Sequence, residues 1–242
     1  MTTRIADVSL REAARIAGVG YLIIFVLAIF ANFLVRTNLI EKGDAAATVA
    51  NIVESEGLFR AGLISFLVVF VVDVVIAWAL YIFFRIVSRD LSLVTAWFRL
   101  VYAVFLGVGL IFFFQVLQLV SGADYLKAFQ QGQLDAQVML SLDAFNYAWL
   151  IGLVCFGIHL ALLGYLILKS ASIPRLLGFI LVLAGAAYVL DTLANALLAN
   201  YEDYQNVFLA IVAIPSVIGE LWLALWLLIR GGKAREAPQH AG

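Results

Sequence analysis

The chain has one cysteine, Cys155, in the middle of an apolar run. A single thiol excludes an intrachain disulfide and argues against a thiolate metal cluster or a redox pair; Cys155 reads as a small packing residue. Charge is nearly as scarce: 13% of residues are charged against 65% hydrophobic, whereas a soluble domain carries roughly a quarter charged residues. The net charge of −1 gives no overall pull toward nucleic acid or an acidic partner. No Walker loop, Gly-x-Ser-x-Gly elbow, His-Glu-x-x-His or Cys-x-x-Cys occurs, which removes the common nucleotide, hydrolase and zinc signatures. No polar stretch is long enough to fold as a soluble unit, so a single integral-membrane domain is expected to take all 242 residues.

What the chain does have is six long apolar runs: Ile16–Val35, Ala61–Phe84, Leu100–Val120, Ala144–Leu168, Leu176–Ala199 and Val207–Ile229. About 20 residues at 1.5 Å each cross a hydrocarbon core of about 30 Å. The runs lack strand alternation and are too long for barrel strands, so helices with internally paired backbone are the spanning solution. The expected fold is all-α, a polytopic six-helix transmembrane bundle. Ser9 and Glu12 form an S-x-x-E capping box ahead of the first run, which reads as an uncleaved helix because it is too long for a signal-peptide core.

Orientation follows from the basic residues. One side collects Arg4, Arg11, Arg15, Arg85, Arg89, Lys169, Arg175, Arg230, Lys233 and Arg235, with Arg99 at the mouth of the third span; the other has Arg36, Lys42, Arg60 and Lys127. The positive-inside rule places both termini in the cytoplasm. The short Lys169–Arg175 connection, with Pro174 at its end, makes the fourth and fifth helices antiparallel neighbours. On the outer side, Asp44 is expected to cap a short helix over Ala45–Glu54, and a second is expected over Asp124–Gln131, stopping at Gly132. Both read as interfacial connectors, and the polar tail beyond Arg230 as disordered.

Ionisable groups inside a membrane are costly, roughly 2.5–3.5 kcal/mol each on insertion, so each asks for a partner or a purpose. The spans hold Asp73, His159, Asp191 and Glu220, with Arg99 and Asp143 at span mouths and Arg60 at the outer start of the second helix. Asp73 precedes Arg85 by twelve residues, and His159 and Glu220 precede Lys169 and Arg230 by ten. At helical rise that is about 15–18 Å, the depth of the midplane. Asp73 is therefore expected to face inward and pair with Arg99, or failing that with His159. His159 and Glu220 are expected within direct or one-water reach of each other. Nearer the outer face, Asp191 and Asn195 share one side of the fifth helix, Asn32 and Gln115 reach similar heights, and Asp143 with Asn146 opens the fourth; Arg60 is a candidate partner for Asp143 or Asp191. Gly157 with Ala161, and Gly178, Ala184 and Gly185, predict close helix packing. Trp97, Trp222, Trp226, Tyr201 and Tyr204 suit interface belts.

The segments Ala14–Tyr21, Gly57–Arg60, Phe98–Leu100, Pro174–Gly178 and Gly219–Leu221, together with Asp73, the His159 helix, and Tyr188 with Asp191, resemble a bacterial integral-membrane family catalogued as domain of unknown function 4386. The resemblance covers about Ala14 to Arg230 and implies a multi-pass protein of the bacterial cytoplasmic membrane, without an assigned activity. Three readings of the polar residues stay open. The leading one is a non-catalytic membrane component that binds lipid or another membrane protein, its polar core setting helix register. A transporter of a small polar solute or of protons would use Asp73, His159 and Glu220 as an exchangeable site. An intramembrane enzyme would use His159 as base, or as a metal ligand with Asp73 and Glu220, although no local spacing supports a metal and no cofactor is implied.

Overall fold

A computed structural model describes residues 8–231. Arg4, Lys233 and Arg235 of the orientation count, and the polar tail after Gly231, lie outside the described residues. Within them the chain forms helices α1 (Leu10–Ile29), α2 (Ala45–Glu54), α3 (Glu56–Phe84), α4 (Arg89–Leu119), α5 (Gln131–Lys169), α6 (Arg175–Leu197) and α7 (Tyr201–Ile229), with no strand among the described residues. The first span continues past α1 through a π-helical stretch, Phe30–Arg36, to Leu39. All of these except α2 are long and apolar enough to cross a membrane, and the chain is a multi-pass, all-α membrane protein embedded in the bilayer.

The helix starts have local causes. The Ser9 backbone N–H donates to Glu12 Oε2 at 2.9 Å, and the Glu12 N–H donates to Ser9 Oγ at 3.2 Å, a reciprocal capping box at the head of α1. Asp44 accepts from the Ala47 N–H and starts α2 where expected. The helix of the third span starts at Arg89, ahead of the apolar run from Leu100, because residues 89–97 are amphipathic and extend it, so Arg99 lies ten residues inside α4. One expectation needs correction. The stretch Asp124–Gln131 makes only a 3-10 turn, Asp124–Ala128, and Gly132 does not stop a helix. Instead the Gln133 side chain accepts from the Gln130 N–H at 2.9 Å, and α5 begins there, well before Ala144.

The described residues divide into two compact units: 8–22, 73–100 and 154–231 make one, 23–72 and 101–153 the other. In the second, the core is aromatic. Phe113 and Phe145 approach to 4.3 Å between ring centroids, and Phe59, Phe66 and Trp149 join them. In the first, glycine replaces bulk. A Cβ on Gly157 would lie 2.6 Å from the Gly185 carbonyl oxygen, and one on Gly164 would lie 2.5 Å from that of Gly178. Numbers rise along α5 as they fall along α6, so the two helices pack antiparallel at near backbone contact, as the short connection requires. Gly18 on α1 meets Leu228 and Ala224 of α7 in the same way.

Candidate functional site

Within the first unit, α3 carries Asp73, α4 carries Arg99, α5 carries His159 and α1 carries Tyr21, all of them buried. Arg99 is the centre. Its Nη2 donates to Asp73 Oδ1 at 2.6 Å, with side-chain exposures of 1% and 2%. Its Nη1 donates to the Tyr21 hydroxyl at 2.9 Å and faces His159 Nε2 at 3.2 Å. The guanidinium carbon lies 4.8 Å from the centre of the Tyr21 ring and 5.4 Å from that of Phe156, a cation between two π faces. Its Nε is buried without an acceptor.

The partners assign the histidine tautomer. Nδ1 is 2.8 Å from the Thr95 carbonyl oxygen, which only accepts, so the ring proton sits on Nδ1. Nε2 then turns its lone pair to Arg99. Phe156 stacks on the imidazole at 5.8 Å between centroids and meets Tyr188 edge-on at 5.3 Å, which holds the ring in place. His159 and Glu220, expected within direct or one-water reach, form no direct hydrogen bond with each other among the described residues, and the two ring nitrogens of His159 face Thr95 and Arg99. Glu220 lies on α7, one turn after Ser216, with which Tyr188 shares a hydrogen bond.

The Asp73–Arg99 pairing is thus present as expected. The remaining candidates do not join them. Asp191 accepts from the Tyr201 hydroxyl at 2.6 Å, bridging the end of α6 and the start of α7. Arg60 pairs at 2.6 Å with Glu56, one turn back on its own helix, in place of the expected Asp143 or Asp191, because an i,i+4 partner is already at hand. Asp143 is exposed. Tyr21, Thr95 and Phe156 were not singled out from sequence: each counts as apolar filler or as an ordinary helix residue until its partners are known. Their one signal was depth, since Tyr21 follows Arg15 by six residues.

Chemically the cluster is a charge held in place. One guanidinium is neutralised by contact with Asp73. A metal would need lone pairs that His159 does not offer: Nδ1 bears the proton and Nε2 accepts from Arg99.

Comparison with known proteins places residues 16–231 in the family described as "Domain of unknown function (DUF4386)". An uncharacterized protein of Archaeoglobus fulgidus is similar, at 28% identity over 174 residues, covering 72% of this chain and 86% of that protein. No solved structure matches.

Proposed function

The chain belongs to the DUF4386 family, whose description assigns no activity, and we propose that it is a non-catalytic membrane component whose buried polar cluster holds its helices in register. The observation that carries this reading is the closure of Arg99, enclosed with its counter-ion and with hydrogen bonds from three helices. A charge so confined is costly to bury and more costly to unpair, so it specifies one arrangement of the helices that bear it. The protein is assigned to the cytoplasmic membrane with both termini in the cytoplasm, on the basic-residue asymmetry. A catalytic reading draws nothing from the site, since a general base needs a free lone pair and that of His159 is turned to Arg99.

The test is a double-mutant cycle in detergent. Asp73→Asn alone strands Arg99 and is expected to cost about 3–5 kcal/mol, and the pair Asp73→Asn with Arg99→Gln is expected to recover much of it. Losses that simply add would remove the register role.

A second reading, proton-coupled transport, is favoured by one observation. Glu220 is a second membrane-embedded carboxylate, on a helix that contains Pro215 five residues before it. A pH gradient imposed across proteoliposomes separates the two. Decay that is accelerated by the wild type and not by Glu220→Gln supports transport, and equal decay with both supports the register role.

A further inference from the structure

Arg36 lies in the second unit, at the end of the π-helical stretch Phe30–Arg36. Such stretches interrupt regular helix where a side chain has to be aimed, and are frequent at functional positions. The Arg36 side chain folds inward. Nη1 donates to Asn32 Oδ1 at 3.0 Å and Nη2 donates to Asn146 Oδ1, while the guanidinium carbon lies 5.2 Å from the centre of the Phe145 ring and 5.6 Å from that of Trp149. Asn32 is itself oriented, its Nδ2 donating to the Ala28 carbonyl at 3.0 Å.

Every one of these acceptors is neutral. Among the described residues no ion pair to Arg36 is formed; Asp143, one turn before Asn146 on α5, is exposed. Two buried donors at the same guanidinium–indole contact have no acceptor at all, Nε of Arg36 and Nε1 of Trp149. A half-buried cation without a counter-charge is costly, and each buried N–H without an acceptor adds to the cost. An arginine that only sought water would extend outward, as Arg60 does with 58% of its side chain exposed. Depth points the same way. Arg36 follows Arg15 by twenty-one residues, about 31 Å of helix, so when Arg15 is at one face of the hydrocarbon core Arg36 is in the headgroup layer of the other.

We propose that Arg36, framed by Asn32, Asn146 and Trp149, binds a phosphate group, carried by a phospholipid headgroup or free in solution. The two neutral amides occupy one N–H on each terminal nitrogen. That leaves a further N–H on each Nη for oxyanion oxygens, and a singly charged phosphodiester balances the guanidinium. The π stretch supplies the aim, and the aromatic walls restrict the approach of water. This site shares no residue with the Arg99 cluster and does not rest on the function proposed above.

The experiment uses the full chain in detergent, with native mass spectrometry and thermal unfolding as readouts. The probes are phosphatidylglycerol, inorganic phosphate and, as baseline, a phosphate-free diacyl glycolipid. Wild type is expected to hold phosphatidylglycerol about tenfold more tightly than Arg36→Gln does, with Arg60→Gln and Trp149→Phe, which keeps the aromatic wall, both unchanged. An Arg36-dependent shift with phosphatidylglycerol alone assigns the phosphate to lipid, and one with inorganic phosphate as well assigns the site to the free anion. Should Arg36→Gln fail to fold, Arg36→Lys, which keeps the charge and loses the forked donors, serves in its place with weakened binding expected. Equal retention of all probes by wild type and variant, or an equal loss in Arg60→Gln, overturns the site.

Discussion

Arg99 shows how much one residue can organise when its geometry is planar. A guanidinium offers five donors in a fixed fork, and here three of its partners sit on three different helices: Asp73, Tyr21 and His159. Lysine keeps the charge and loses the fork. Arg99→Lys is therefore expected to cost about 2–3 kcal/mol in detergent unfolding, since a single ammonium cannot span the same three acceptors without leaving some unmet. Tyr21→Phe is the finer test. It keeps the ring face 4.8 Å from the guanidinium and removes only the hydroxyl acceptor, so a loss of about 1–2 kcal/mol is expected; a neutral substitution would show that the π contact alone suffices. Asp73 could be anticipated from depth alone, because a carboxylate twelve residues from the helix end needs a cation. Tyr21 could not, because a phenol is counted with the apolar residues until an arginine is found beside it.

At the level of elements, the α5–α6 contact is made by what the side chains lack. Gly157 and Gly164 on one helix face Gly185 and Gly178 on the other, two turns apart on each, so both ends of the contact are equally close. Gly157→Leu would place atoms against the Gly185 carbonyl oxygen and Val189, with backbone rather than a flexible side chain in the way. It is expected to cost at least about 3 kcal/mol in detergent unfolding and to weaken α5–α6 association. Gly132→Ala is the contrasting case. A Cβ there meets nothing within 4 Å in the first turn of α5, and Ala is the better helix former, so stability is expected to rise by about 0.5–1 kcal/mol. The same helix start explains why the outer connection differs from expectation. The Gln133 side chain caps the chain at Gln130, and once α5 has begun there, Gly132 is an early helical residue instead of a terminator.

For the whole molecule, orientation is the property most open to direct measurement. Reporter fusions at Gly232 and within Ser170–Ile173 are expected to read as cytoplasmic, and fusions within Asp124–Phe129 as extracytoplasmic; the reverse pattern would invert both the topology and the face on which Arg36 meets lipid. The number of long apolar spans and their all-α character were determined by the sequence alone, because hydropathy and a 1.5 Å rise act along one dimension and need no partner. Which groups meet was decided only by tertiary structure. His159 and Glu220 each precede a basic residue by ten positions, yet His159 turns to Thr95 and Arg99. Arg60 took a neighbour on its own helix, and Arg36 turned inward to two amides and two aromatic rings. In each case the choice depends on rotation about the helix axis and on where a helix begins, and an apolar run reports neither: its residues are interchangeable to hydropathy, whereas the packing of glycine against backbone and of arginine between rings depends on single atoms.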